Sequence, residues 1–158
     1  MMKISVYLVS ILMMFGMLTP AWSQPAETEE EVEVAEPCTP EEIQIEVHAD
    51  NEVTYVSGGI GSCESQEMRK IAKEYQLELV FVQKTATAES FLANIPVEVI
   101  DSKGSYAIDT VTKGPFLLAK MPNGRYTVTA TFNGETKTQQ VSITAKHQRV
   151  VFVWRVDY

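Results

Sequence analysis

Alternating apolar and polar residues in the second half of the chain predict a series of short β-strands. Residues 126–131 alternate between apolar side chains and threonines, and a period of two is typical of a strand with one buried face. The Asn133-Gly134 dipeptide that follows predicts a tight hairpin turn. The same alternation, or a short apolar run, predicts strands over 43–48, 53–56, 77–82, 95–100, 106–108, 116–119, 137–143 and 150–154.

One segment has the period of a helix instead. Met68, Ile71, Ala72 and Tyr75 follow the spacing i, i+3, i+4 and i+7, which forms a single apolar stripe. We therefore expect a helix over about 63–75, with Ser62 as its N-cap. A stripe of this modest size favours packing against the core over the alternative of an amphipathic membrane helix.

Many short strands separated by glycine- and proline-rich turns indicate the fold class. The turns at 101–104 and 121–124 are the strongest of these signals. The pattern predicts a mainly β protein, an antiparallel β-sandwich with one amphipathic α-helix over an edge or face. The length of the chain suits a single domain over 43–158.

The first 23 residues have the three-part pattern of a secretory signal peptide. Lys3 precedes an apolar run that ends before Pro20, and the small residues Ala21 and Ser23 mark a cleavage site before Gln24. An uncleaved anchor is the alternative, but the run is shorter than the roughly 20 residues of a membrane span. We expect export to the periplasm or beyond the cell, with no stable membrane span after cleavage.

The net charge of −8 lies mainly in an acidic arm over 24–42. Glutamates are frequent from Gln24 to Glu46, where lysine and arginine are absent, and the rest of the mature chain is close to neutral. Such a segment is expected to be a disordered, solvated spacer, with an acidic recognition tail as the alternative. Nucleic acid is excluded as a partner because phosphates would be repelled by the arm and would meet no basic stripe.

Two cysteines remain after signal cleavage, Cys38 and Cys63. In an oxidising compartment their simplest state is one disulfide, with two independent thiols as the alternative. A metal site is not expected, since His48 and His147 are the two histidines and no short metal-binding motif is present. No cofactor is implied.

Residues 95–154 resemble the carboxypeptidase regulatory-like domain, a prealbumin-like (transthyretin-like) β-sandwich. The likeness is carried by Ile95-Pro96-Val97-Glu98-Val99, by 114–118 and by the turn from Met121 to Val128. The resemblance implies that Pro122 and Gly124 shape a turn and that Tyr126 fills the core end of the hairpin. With 57–61, the helix and 75–81, the chain is similar to small exported proteobacterial proteins that carry this sandwich. The family name denotes an accessory domain of metallocarboxypeptidases, so it implies no peptidase activity here.

Hydrolytic chemistry has little support in the sequence. Ser57, Ser62, His48 and His147 are the candidate groups, but no nucleophile elbow is present and both histidines lie among ordinary strand and turn residues. The glycines at 58–61 lack the lysine of a phosphate-binding loop, so a tight turn is expected there. We therefore predict no catalytic residues and no enzyme activity.

The remaining possibility is a non-catalytic, exported accessory or binding module of the cell envelope. One alternative is a carbohydrate-binding-like domain, with Trp154 as the aromatic contact, or Tyr106, Tyr55 or Tyr158 in its place; core packing is the competing role of Trp154. Another is a structural subunit of an envelope assembly that pairs through an edge strand, for which 150–156 is the candidate. The sequence identifies no ligand or partner.

Overall fold

A computed structural model describes residues 38–39, 43, 45–50 and 52–156. The predicted signal, with its cleavage site between Ser23 and Gln24, lies outside these residues, as does nearly all of the acidic arm. Glu36–Tyr158 forms one compact unit. The described part is mainly β, with two sheets and one α-helix, which confirms the predicted β-sandwich.

Ten strands and a helix follow one another along the described part of the chain. They are β1 (Val47–Asp50), β2 (Val53–Gly58), α1 (Gly61–Ile71), β3 (Leu77–Lys84), β4 (Glu89–Phe91), β5 (Pro96–Asp101), β6 (Tyr106–Val111), β7 (Phe116–Lys120), β8 (Gly124–Phe132), β9 (Glu135–Ile143) and β10 (Gln148–Arg155). A short 3₁₀ turn, Ala72–Glu74, continues α1.

The first sheet has the order β1-β2-β7-β3-β10, and the second has the order β6-β5-β8-β9. Strand β10 pairs with one edge of β3 along its whole length. The other edge of β3 is shared by β7, which pairs with Leu77–Val80, and by the short strand β4, which pairs with Val82–Lys84. One pair departs from the predicted antiparallel arrangement: β10 runs parallel to β3 along its whole length. The chain leaves the second sheet after β9 and crosses to the first, which lets β10 run in the same direction as β3.

The core lies between the two sheets. Alternate residues of β3, Leu77, Leu79 and Phe81, are fully buried in it together with Phe152 and Trp154 of β10. The predicted alternation of β8 is present as well, since its apolar residues are buried and its threonines are half-buried. Both faces of β3 are buried over residues 77–81, because the helix covers that part of the outer face of the first sheet.

The helix packs through its predicted stripe. Met68, Ala72 and Tyr75 are buried against Val80 and Leu118 on the outer face of the first sheet. The prediction of Ser62 as the N-cap is wrong, because the helix begins at Gly61 and Ile60 occupies the cap position without a capping side chain.

Glu64 compensates for the missing side-chain cap. Its Oε1 atom accepts a hydrogen bond from the backbone N–H of Gly59, at 3.0 Å. An acidic side chain near the beginning of a helix is also favoured by the helix dipole.

Two strand predictions differ from the structure. The first strand begins at Val47 rather than at residue 43, and Glu46 before it forms an ion pair with Lys113. The strand β4 was not predicted, because three consecutive exposed residues show no alternation. No helix in the described part of the chain is long and apolar enough to cross a membrane.

The two turns predicted at 133–134 and at 121–124 differ in their backbone geometry. Asn133 and Gly134 both have positive φ, 49° and 80°, and Phe132 pairs with Glu135, as in a type I′ hairpin. In the second turn, the hydroxyl of buried Tyr126 donates a hydrogen bond to the carbonyl oxygen of Pro122 at 3.0 Å. Gly124 begins β8 without a positive φ.

Candidate binding site

The helix covers only part of the outer face of the first sheet. Phe91 of β4 pairs with Val82 and lies on this face beyond the end of the helix stripe, where 56% of its surface is exposed. Its ring contacts the buried ring of Phe116, at 5.8 Å between centroids. The packed cluster under the helix thus extends to the surface through the exposed ring of Phe91.

A groove separates Phe91 from the beginning of α1. One wall is formed by residues 59–62 with Ser65 and Arg69, the other by residues 91–93, and Pro115 and Phe116 lie between them. Its volume is about 400 Å³. Ile60 is 60% exposed on the helix wall, so both walls present an exposed apolar side chain. We call this feature the α1–β4 groove.

Arg69 supplies the positive charge of the groove. Its guanidinium carbon lies 5.9 Å from the ring centroid of Phe91 and 5.6 Å from that of Phe116, distances at which a cation is attracted to an aromatic face. Arg69 forms no ion pair with a carboxylate in the described part of the chain. The sequence contains no signal for the position of Arg69 over two rings.

The carboxylates near the groove already have partners. Glu64 accepts the N–H of Gly59, and Glu89 pairs with Lys84. Hydrogen bonding and charge attraction from Lys84 lower the pKa of Glu89 below its ordinary value. Glu89 is therefore paired with a cation, whereas Arg69 forms no ion pair with a carboxylate that the structure describes.

Close backbone packing fixes the loop that forms the helix wall. Gly59 has φ of +103°, and a Cβ atom there would lie 2.4 Å from the ring of Phe116. A Cβ on Gly114 would lie 2.3 Å from the backbone of Gly58. The sequence predicts a tight turn at 58–61, and the structure shows why Gly59 carries no side chain: the loop is pressed there against Phe116 of β7.

The predicted disulfide between Cys38 and Cys63 is present, with 5.4 Å between the Cα atoms. It attaches residue 38 to the first turn of α1, the turn that also supplies Ser62 and Ser65 to the groove. A bond of this kind is typical of proteins in an oxidising compartment.

Trp154, the suggested ligand contact, lies in the core with 1% of its surface exposed. Its ring packs near those of Phe132 and Phe152, and its indole N–H donates a hydrogen bond to the carbonyl oxygen of Glu135 at 3.1 Å. The side chain is therefore occupied by packing on the inner face of β10.

Of the other aromatic candidates, Tyr106 is the most accessible. It is 61% exposed at one end of the sandwich, in a hollow lined also by Glu52, Asp101 and Ser105. Tyr55 stacks on His48 at 5.0 Å between ring centroids. Tyr158 lies outside the described residues.

The groups considered for hydrolysis are not brought together in one bonded network. Ser57 is buried and its hydroxyl accepts the backbone N–H of Lys113. His147 has a partner at each ring nitrogen: Nδ1 lies 2.9 Å from the carbonyl oxygen of Tyr75, and Nε2 lies 3.0 Å from a carboxylate oxygen of Glu78. Both nitrogens are thus engaged by acceptors rather than by a hydroxyl.

Glu78 is a buried acid that the sequence analysis missed. Its carboxylate faces the helix side of β3 and also accepts a hydrogen bond from Arg149 of β10 at 3.1 Å. The parallel pairing places Arg149 directly opposite Glu78. A lone glutamate in an apolar strand is the signal that indicates such a buried ion pair.

Among the residues that the structure describes, no three side chains are grouped as metal ligands. The chain matches no family model and no curated protein.

Proposed function

We propose that this protein is a non-catalytic accessory module of the cell envelope that binds a partner protein through the α1–β4 groove. One observation carries the proposal: Ile60 and Phe91, each more than half exposed, lie on opposite walls of one groove, and Arg69 of the helix wall lies over the ring of Phe91. Exposed apolar side chains are ordinary when scattered, but a contiguous set around a concave surface is typical of an interaction site.

Export to the periplasm, or secretion, is part of the same proposal. It is supported by the signal pattern of residues 1–23 and by the Cys38–Cys63 disulfide, which persists in oxidising compartments. The resemblance of 95–154 to the carboxypeptidase regulatory-like domain supports an accessory role, since that domain is not the catalytic part of its enzymes. A fold likeness by itself carries no activity.

Two pairs of exposed residues allow a controlled test. Phe91 and Val111 are both 56% exposed, and Ile60 and Tyr106 are 60% and 61% exposed. Envelope extracts would be passed over the mature protein and over Phe91→Ser, Ile60→Ser, Val111→Ser and Tyr106→Ser variants. We expect a partner that is retained by the wild type and by both controls outside the groove, and lost with both groove variants.

The result has a clear contrary outcome. A partner retained equally by the groove variants, or the recovery of a lone monomer under mild extraction, would contradict binding through this groove. Circular dichroism of each variant would verify that the fold is intact, which is expected because all four side chains lie at the surface.

Carbohydrate binding is the second candidate function, and exposed Tyr106 favours it over Trp154 as the aromatic contact. Sugars stack on exposed rings and bond to nearby polar groups, and the hollow beside Tyr106 includes Glu52, Asp101 and Ser105. Calorimetric titration with a panel of glucose and N-acetylglucosamine oligosaccharides would test this role. Binding that is lost in Tyr106→Ala and kept in Phe91→Ala would support it, and no heat across the panel would exclude it for those sugars.

Assembly through β10 is supported less well by the contacts of that strand. Gln139 of β9 donates its side-chain N–H to the carbonyl oxygen of Val151, and the indole of Trp154 bonds to Glu135 of the same strand. These bonds connect β10 to β9 across the gap between the sheets. A partner strand at 150–156 would have to displace the Gln139 side chain from the carbonyl oxygen of Val151.

A further inference from the structure

The backbone of β4 is paired on one side only. Among the described strands it pairs with β3 and with no other. Leu92 N–H bonds to the carbonyl oxygen of Phe81, and Thr85 N–H bonds to that of Ala88. In an antiparallel pair, alternate residues direct their backbone groups toward the partner strand and away from it. The N–H and C=O groups of Glu89 and Phe91 therefore point to the free edge.

Strand β2 ends before it reaches the position beside this edge. β2 pairs with β7 as far as Gly58, opposite Phe116, and the chain then turns into α1. Since β7 and β4 share one side of β3, a continuation of β2 would lie alongside β4. The α1–β4 groove lies between residues 91–93 and the loop at 59–61, which is where such a strand would run.

The side chains around the groove define what an added strand would carry. Phe91 and Ile60 offer apolar contacts, and Arg69 offers an unpaired positive charge. Of the nearby acids, Glu89 is paired with Lys84, and Glu64 is held by the backbone N–H of Gly59 at the beginning of the helix, whereas Arg69 forms no ion pair in the described part of the chain. Charge complementarity therefore favours a segment with acidic and apolar residues over a basic one.

We propose that the free edge of β4 accepts an extended segment of a partner protein as an added strand, with an acidic side chain paired to Arg69 and an apolar one against Phe91. The proposal rests on the function proposed above and names the form of the partner. Backbone bonds of an added strand supply affinity, and alternate side chains supply specificity.

Amide hydrogen exchange of the mature protein would test the backbone contact directly. The probe is a short, terminally blocked peptide of alternating valine and glutamate. Bound peptide should slow exchange of the Phe91 and Glu89 amides by at least about tenfold at saturation, because both would become donors in a ladder. The same peptide with an N-methyl group on every residue has no backbone donor on either edge and cannot complete that ladder, so it should give no protection.

The charge is tested separately. Replacing glutamate by lysine in the peptide should weaken binding by about tenfold or more. Arg69→Gln should reduce affinity for the glutamate peptide and remove the difference between the two peptides. Arg125→Gln, an exposed arginine on β8 in the second sheet, is the matched control and should change neither.

Three outcomes would overturn the proposal. The first is the absence of protection at Phe91 and Glu89 with every peptide. The second is protection by the N-methylated peptide, which would indicate side-chain binding alone. The third is protection of these two amides in the protein without peptide. Protection that is lost on dilution indicates that a second copy of the chain occupies the edge. Protection that is lost on removal of residues 24–36 indicates that the chain's own arm occupies it. Partner capture that depends on Phe91 would survive each of these results, so the two proposals fail separately.

Discussion

The indole N–H of Trp154 lies 3.1 Å from the carbonyl oxygen of Glu135 and donates a hydrogen bond to it. Trp154 belongs to β10 in the first sheet, and Glu135 begins β9 in the second. The bond therefore joins the two sheets at one side of the sandwich. It also satisfies the single polar group of a side chain that is otherwise surrounded by the core.

Replacing Trp154 by phenylalanine should remove this bond and leave a smaller ring in the same space. We expect the free energy of unfolding to fall by about 1–3 kcal/mol, the usual cost of leaving a buried polar group without its partner. Urea denaturation followed by circular dichroism would measure it. Glu135→Ala is the control, because the acceptor is a backbone atom, and it should change stability by less than about 0.5 kcal/mol. Equal effects of the two variants would contradict the assignment.

The disulfide between Cys38 and Cys63 should stabilise the fold measurably. It closes a loop with a sequence separation of 25 residues, which on the chain-entropy model corresponds to about 3 kcal/mol. Reduction should lower the urea midpoint of the wild type by a matching amount. The double variant Cys38→Ser/Cys63→Ser should already have the lower midpoint and should not respond to reductant. A wild-type midpoint that ignores reductant would show that the bond contributes little.

Gly134 and Gly124 both follow a turn-forming residue, yet they should respond differently to alanine. Gly134 has φ of +80°, where a Cβ atom is strained, so Gly134→Ala should cost about 1–2 kcal/mol. Gly124 has no positive φ, and its added Cβ would be 3.5 Å from the ring of Tyr126, an ordinary contact. Gly124→Ala should therefore change the unfolding free energy by less than about 0.5 kcal/mol. The reverse order would show that the turn at 121–124 depends on glycine after all.

Asp101 should make the folded state sensitive to acid. Its Oδ1 atom accepts backbone N–H groups from Ser105 at 2.9 Å and from Lys103 at 2.8 Å. The hydrogen bond from Ser105, followed by the smaller effect of Lys103, lowers the pKa of Asp101 from its usual 3.8. The unfolded state then binds the proton more readily than the folded state does, so this contribution is complete above about pH 4 and is lost as pH falls through the folded pKa.

Urea denaturation between pH 6 and pH 2.5 would detect this effect. The wild type should lose more stability over the acidic part of that range than Asp101→Asn, whose amide does not titrate. Asp109→Asn is the matched control, since it replaces an exposed acid in the neighbouring strand β6 and leaves the hydrogen bonds of the 101–105 turn intact. Parallel profiles for wild type and Asp101→Asn would contradict the role of Asp101.

Much of the fold could be predicted from the chain itself. Period-two alternation in β8 and the Asn133-Gly134 turn identified the hairpin with β9, and the stripe on α1 identified which side of the helix is buried. These signals are local, because the side-chain period and the turn geometry depend on neighbouring residues alone. The disulfide was also expected, since only one pairing is possible between Cys38 and Cys63 in the mature chain.

The candidate site was far less predictable. Phe91 lies in a strand of three exposed residues. The one signal of a site in the sequence is that Phe91 is the lone aromatic residue of a polar segment. The position of Arg69 over the rings of Phe91 and Phe116 depends on three separate elements. Trp154 illustrates the opposite case, because an apolar strand with a tryptophan fits a core position and a surface platform equally well until its partner strand is known.

The sequence by itself therefore determined the class of fold, the burial pattern of β8 and of the helix, and the pair of cysteines that forms the disulfide, all of which depend on residue type and short-range spacing. Tertiary structure alone decided that β10 runs parallel to β3, that β2 ends before it reaches β4, and that the helix leaves Phe91 uncovered. These relationships join residues far apart in the chain. They depend on how distant strands pair and on where the helix packs against the sheet, and no local pattern of residues determines either.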